Sequence, residues 1–270
     1  MVIPAQTLPT VRLPCGMSVS RLGLGLAHLQ LMAPTARTAL IDHALDLGIT
    51  HFDTARFYGD GMSERVLGNA LGPRRARVTI TTKFGLLPTP GIAVMGPLAP
   101  VGRKARGALK RLGLVDYPRR SYSPAELQRA FTTSLRALRT DHVDVLAIHE
   151  PEGITGIDDD TIEALLAIRR SGAARFIGVA GNDVTRVLAR WGDVLDIVQT
   201  AENDGRTGDR SPDFTYSLFS SGMTRGAPPL TRAEVDRRLR AALARRPQGA
   251  VLVQTRDPSR LHDLVEIAGA

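Results

Sequence analysis

Short apolar runs alternate with amphipathic stretches along almost the whole chain. Residues 9–20 read as a hairpin: Thr10-Val11-Arg12-Leu13, a turn at Cys15-Gly16, then Ser18-Val19-Ser20. The run 21–26 predicts a first buried strand. Ala39, Leu40, Ala44 and Leu47 then recur at helical spacing over 36–47, and Gly48 ends that helix. A strand at 50–54, a helix at 62–71 opened by Ser63 and Glu64, and a β-branched strand at 77–83 follow. Gly, Pro and basic residues crowd 84–122 and break the rhythm, which predicts one long loop. The rhythm resumes at Ser123-Pro124, with Pro at the first position of a helix to about Leu138. Strands at 143–149, 175–180 and 195–200 then alternate with helices at 158–171 and 183–191. Residues 201–212 are polar and too few for a helix with its loops, so the strand at 214–218 follows almost directly. A helix at 231–245, a strand at 250–255 and a helix at 258–267 complete the pattern.

Eight strands alternating with seven helices predict an α/β architecture with a parallel sheet. The length, 270 residues, suits one (β/α)8 TIM barrel, which typically needs ~250. The expectation is a single barrel domain over 1–270, with an N-terminal β-hairpin and a shortened or missing sixth helix. A doubly wound sheet would place a Gly-rich phosphate turn after its first strand. Gly23 and Gly25 lie inside the strand pattern instead, and Ala27-His28 follow where a helix should start.

Composition changes this picture little. The formal charge is +8, yet the arginines are spread over helical patterns such as 232–246 and no aromatics interleave with them, so no nucleic-acid partner is expected. Cys15 is the one cysteine, which excludes an intrachain disulfide. Residues 1–16 lack a charged start and a long apolar run, and no apolar stretch reaches the ~20 residues of a membrane span. A cytoplasmic protein without membrane contact is the expectation.

In a parallel barrel, chemistry sits at the C-terminal strand ends. Those ends read Phe52-Asp53-Thr54 with Tyr58 just beyond, Thr82-Lys83, and Ile148-His149. Singly, Asp53 reads as a cap, Tyr58 as a loop aromatic, Lys83 as a solvated end and His149 as a core histidine. Together on one face they read as a proton-transfer unit. A phenol is a poor acid at neutral pH, and a Lys cation beside it favours the phenolate. Asp53 would hold Lys83 charged, and His149 would orient a carbonyl. No H-x-H pair accompanies His28, His51 and His149, and Lys83 would put a cation in any metal site, so no metal is expected.

The run from Gly48 to Glu64 resembles the aldo-keto reductase signature G-x-x-x-F-D-T-A-x-x-Y-G-x-G-x-S-E. The resemblance continues through Thr81-Thr82-Lys83-Phe84-Gly85, Ser134–Leu138, Val143–His149, Ile177–Asn182 and Val198-Gln199. It implies Tyr58 as general acid/base, tuned by Lys83 and Asp53, with His149 positioning a substrate carbonyl. It implies Asn182 and Gln199 on a nicotinamide carboxamide and Tyr216 stacked on the ring. The run Tyr216-Ser217-Leu218-Phe219-Ser220-Ser221-Gly222 resembles a pyrophosphate-binding loop of the family, shifted by one at Leu218. Thr255 and Arg260 match the family's spacing for an adenosine 2′-phosphate beside the last helix. The implied activity is NADP-dependent hydride transfer between the cofactor (NADPH when reduced) and a small carbonyl or alcohol. Oxidation of a sugar-type hemiacetal, or a redox-sensing role on the same barrel, are the alternatives.

Three departures stand out. The sixth helix is absent or collapsed, and a second copy of the chain, a homo-oligomer, is a candidate cover for that wall. The sequence ends after the last barrel helix, where many relatives carry a tail over the pocket, so a more open pocket is expected. The loop 84–122 should sit over the active face, strongly positive through Arg103, Lys104, Arg106, Lys110 and Arg111.

Overall fold

The computed structural model of this chain describes residues 8–89, 101–102, 105, 118–151, 153–219 and 229–270. The hairpin forms from β1 (Thr10–Arg12) and β2 (Ser18–Ser20), with Val11 opposite Val19. Eight further strands alternate with helices. They are β3 (Leu22–Gly25), α1 (Pro34–Asp46), β4 (His51–Asp53), α2 (Met62–Leu71), β5 (Thr79–Phe84) and α3 (Pro124–Leu138). Then come β6 (Val143–His149), α4 (Asp159–Arg170), β7 (Ala174–Ala180), α5 (Thr185–Trp191), β8 (Ile197–Ala201), β9 (Phe214–Tyr216), α6 (Arg232–Arg245), β10 (Ala250–Val253) and α7 (Pro258–Gly269). Strands β3 to β10 pair in order and in parallel, and β10 returns to β3 with Val251 opposite Leu22. This closed barrel with its antiparallel hairpin is the expected (β/α)8 fold.

Local chemistry fixes the helix starts. Ser123 accepts a hydrogen bond from Glu126 N with Pro124 behind it, Asp158 accepts from Thr161 N, and Thr231 accepts from Glu234 N. Each cap satisfies an amide that the first turn leaves without a partner. The barrel interior is filled at its lower end by Leu13, Met17 and Val19 of the hairpin region against Val145, Ile197, Phe214 and Leu252. The hairpin therefore plugs the face opposite the strand C-termini. The second core lies between the outer strand faces and the helices, with Leu24, Phe52, Ile80, Leu146 and Val198 meeting Ile41, Leu67, Leu127 and Leu165.

No helix stands between β8 and β9, as the short polar connection predicts. Side chains replace it. The Arg210 guanidinium donates to Gly192 O at 2.9 Å, Leu195 O at 2.7 Å and Asp196 O at 2.8 Å. The Asp213 carboxylate accepts from Val198 N at 2.8 Å. Glu202 pairs with Arg245 at 2.6 Å and Arg246 at 2.7 Å, tying the connection to α6. The long segment after β5 is rooted at both ends: Leu87 N donates to Arg119 O and Ser121 N to Gly85 O, each at 2.9 Å. Its basic residues Arg103, Lys104, Arg106, Lys110 and Arg111 lie outside the described residues. No described helix is long and apolar enough to cross a membrane.

Candidate active site

Parallel pairing delivers three of the four expected groups to one end of the barrel. Asp53 ends β4, Lys83 is the penultimate residue of β5 and His149 ends β6. Lys83 Nζ donates to both Asp53 carboxylate oxygens at 2.6 and 2.7 Å, and to Thr54 O at 3.0 Å. Tyr58 follows on a short turn, with its hydroxyl 3.4 Å from Nζ. The His149 ring stands edge-on to the Tyr58 ring at 5.5 Å. Lys83, Asp53 and His149 are buried, and the ring of Tyr58 is half-buried.

The turn that carries Tyr58 is built from residues in left-handed backbone: Gly59 at φ 58°, Asp60 at φ 58° and Gly61 at φ 86°. Asp60 is the costly member of that run, and its carboxylate accepts from Thr89 N at 2.8 Å. Arg56 reaches over Gly61 to the fully buried Glu64 at 3.1 Å, and Glu64 also accepts from Thr82 Oγ1 at 2.7 Å. The turn is thus tied to the residue beside Lys83.

Burial sets the protonation states. It pushes Lys83 below its ordinary value and Asp53 above its own, and their contact opposes both shifts. Burial pushes Tyr58 well above 10, and the charges of Asp53, Tyr216 and Glu150 add to that. This corrects the expectation that Lys83 draws the phenol down. The ammonium is already neutralised by a carboxylate closer to it than the phenol is. Tyr58 is therefore held in its protonated form. Burial, with the charges of Lys83 and Arg120, pushes His149 well below its ordinary value and leaves it neutral.

A cavity above these groups is also lined by Glu150, Gln199, Tyr216 and Gln254. Its enclosed volume is about 50 Å³, enough for a small polar group rather than a ring. Of the residues expected at a nicotinamide, Gln199 is buried beside Asp53 at the floor and Tyr216 is in the wall. Asn182 is at the rim, and its Oδ1 accepts from the Tyr216 hydroxyl at 2.9 Å. Gln199 Oε1 and His149 Nδ1 are buried without a hydrogen-bond partner among the described residues. A carboxamide brings the N–H that Gln199 Oε1 lacks, so these residues fit a nicotinamide. Ser217 (φ 59°) and the buried Leu218 follow β9, while Ser220, Ser221 and Gly222 lie outside the described residues. Thr255 and Arg260 are brought together in a separate cavity of about 410 Å³, with Phe219 and Arg232. Gln254 lines both cavities, so they adjoin there. The Thr255 hydroxyl is held within its own turn, accepting from Asp257 N at 3.0 Å, and Arg260 stands 3.8 Å from Asp257.

Sequence reading missed Glu150 and Gln254. Glu150 has φ 46°, accepts from Asn182 N at 3.4 Å and stands 3.2 Å from the Tyr216 hydroxyl, whose single proton it shares with the closer Asn182 Oδ1. The signal was an acid directly after His149, at the strand end where chemistry is expected. Gln254 follows the last residue of β10 in the same way.

The aldo/keto reductase family model matches residues 21–200. Pyridoxal 4-dehydrogenase of Microbacterium luteolum is 29% identical over 206 residues, covering 70% of this chain and 58% of that protein. L-galactose dehydrogenase of Arabidopsis thaliana is 29% identical over 175 residues, covering 62% and 46%. The chain thus spans about half the length of these relatives. Among solved structures, the holo form of an aldo-keto reductase from Bacillus halodurans superposes with a TM-score of 0.72 at 20% identity, over 97% of this chain and 91% of that one. An aldo-keto reductase from Klebsiella pneumoniae in complex with NADPH gives a TM-score of 0.66 at 18% identity, over 98% and 90%. With a signature run from Gly48 to Glu64 that contains Tyr58, a buried Lys83–Asp53 pair and a family match over two thirds of its length, this chain belongs to the aldo/keto reductase family.

Proposed function

We propose that this protein is an NADP-dependent oxidoreductase that reduces an aldehyde or ketone to the alcohol, with Tyr58 as the proton donor. The observation that carries this reading is the convergence of a protonated Tyr58, the Lys83–Asp53 pair and a neutral His149 on one buried cavity. When bound, the nicotinamide supplies the hydride. The chain's own residues do the rest. Asn182 and Gln199 hold the carboxamide, Tyr216 packs on the ring, and Ser217 and Leu218 present backbone to the pyrophosphate. Thr255 and Arg260 receive the 2′-phosphate, a geometry that suits a guanidinium. His149 holds the carbonyl oxygen toward Tyr58. The Tyr58 proton moves to that oxygen as negative charge develops on it, and the Lys83 ammonium stabilises the phenolate left behind. A small-molecule substrate and a cytoplasmic setting belong to the same proposal.

Oxidation is the second reading, favoured by pyridoxal 4-dehydrogenase and L-galactose dehydrogenase among the relatives. The same groups would then work in reverse, with Tyr58 taking the proton.

The test is NADPH oxidation by purified protein with an activated aromatic aldehyde, followed at the reduced-nicotinamide absorbance band, beside a Tyr58→Phe control. Turnover by the wild type alone supports the reading. Turnover that survives in the variant removes Tyr58 from it.

A further inference from the structure

A cavity of about 780 Å³ opens over the ends of β6, β7 and β8 and shares the Glu150 wall with the Tyr58 cavity. Three arginines reach it from three places in the chain: Arg120 before α3, Arg186 in the first turn of α5 and Arg206 in the β8–β9 connection. Two carboxylates face it as well, Glu150 and Asp183, against the three guanidinium groups. Glu150 accepts from Asn182 N and stands beside the Tyr216 hydroxyl. Asp183 accepts from Thr185 N at 3.1 Å and stands 3.9 Å from Arg206, an exposed and weak pair. Arg120 Nε donates to Glu150 O at 3.3 Å. Arg186 makes no hydrogen bond and no ion pair among the described residues, and its stem lies beside Gly153, whose added Cβ would sit 3.5 Å from Arg186 Cδ. A solvent-exposed guanidinium with no protein partner among the described residues therefore stands in a cleft that shares its Glu150 wall with the Tyr58 cavity.

We propose that this cleft receives the anionic end of the carbonyl substrate, a carboxylate or a phosphate ester, with Arg186 as the principal contact and Arg206 beside it. The proposal rests on the oxidoreductase reading and names its substrate class. The phosphate end of the cofactor is placed elsewhere, because Thr255 and Arg260 line a cavity at β10 and α7, which joins the Tyr58 cavity through Gln254, and the cleft touches the nicotinamide end at Asn182. The cleft instead meets that cavity at Glu150, on the β6 side. A substrate bridging from Arg186 to Tyr58 would be oriented at both ends.

Two matched pairs of substrates test this with NADPH: 4-carboxybenzaldehyde against methyl 4-formylbenzoate, and glyceraldehyde 3-phosphate against glyceraldehyde. The wild type should prefer the charged member of at least one pair in kcat/KM, and the pair that shows it tells carboxylate from phosphate. Arg186→Gln should lower that preference about ten-fold, the worth of one charge-assisted contact, chiefly through KM. Arg186→Lys should restore part of it. The dissociation constant of NADPH should hold in both variants. No preference in the wild type, or a preference that Arg186→Gln leaves intact, overturns the proposal while turnover of the neutral aldehydes keeps the oxidoreductase reading. Weakened NADPH binding in Arg186→Gln also overturns it and gives the cleft to the cofactor. Absence of turnover with all four compounds fails the oxidoreductase reading, and the proposal falls with it.

Discussion

Replacing Asp53 by Asn leaves the Lys83 ammonium buried without its counter-ion. Nζ touches both Asp53 oxygens at 2.6 and 2.7 Å, and the Lys83 side chain is 1% exposed. Removing one partner of such a buried pair costs about 3–5 kcal/mol. The protein has one escape, which is to deprotonate Lys83. From an ordinary value of 10.5, that costs about 1.36 × (10.5 − 7), or about 5 kcal/mol, at pH 7. The two limits agree. At roughly 2 °C per kcal/mol for a chain of this size, Asp53→Asn should melt about 6–10 °C below the wild type at pH 7. The sign of the pH dependence follows from the same step. A Lys that is neutral when folded and charged when unfolded makes the folded state bind fewer protons, so stability rises with pH. The deficit against the wild type should therefore shrink by about 1.4 kcal/mol per unit from pH 7 toward 10. The double variant Asp53→Asn/Lys83→Met removes the stranded charge and should recover most of the loss. Thermal melts by circular dichroism across pH measure all of this. A single variant that melts within 2 °C of the wild type, or a deficit that ignores pH, refutes the reasoning.

Three further outcomes follow from the geometry. The reductive rate should be flat between about pH 6 and 9, because burial holds His149 neutral and Tyr58 protonated across that range; a limb near 6.5 that vanishes in His149→Gln would contradict this. Gly61→Ala should cost about 2–3 kcal/mol, since φ 86° disfavours a side chain and the new Cβ collides with the Arg56 guanidinium held by Glu64; in an Arg56→Ala background, urea unfolding should show a smaller cost. Burial raises Asp213 from 3.8 to about 6, so the folded state keeps the proton up to about pH 6 and its contribution, present below pH 3.8, is lost as pH rises through 6. The gap between wild type and Asp213→Asn should shift by about 2.4 kcal/mol against the wild type from pH 4 to 7, and a constant gap would exclude that titration.

The barrel was legible because a parallel strand buried on both faces and an amphipathic helix write different periods into the chain. Even the missing helix before Phe214 could be read, as a connection too short to hold one. The Asp53, Lys83 and His149 set was legible for a geometric reason: consecutive parallel strands end on one face, so their last residues must meet. The protonation state of Tyr58 was not. It depends on burial and on Glu150 and Tyr216, and these two are 66 positions apart in the chain and meet only when the barrel closes. Thr255 and Arg260 were legible as a spaced pair, but not that a separate cavity would hold them or that Gln254 would link it to the catalytic one. The Arg186 cleft was unreadable for the same reason, being assembled from segments that follow four strands, β5 to β8.

The most direct test of the central claim follows the hydride itself. NADPH deuterated at C4 is incubated with the wild type and a carbonyl substrate that it turns over, and the alcohol is analysed by mass spectrometry. Direct hydride transfer puts one deuterium on the former carbonyl carbon with the wild type, and Tyr58→Phe should give no alcohol. An alcohol without deuterium, or labelled alcohol formed equally by Tyr58→Phe, would contradict the claim.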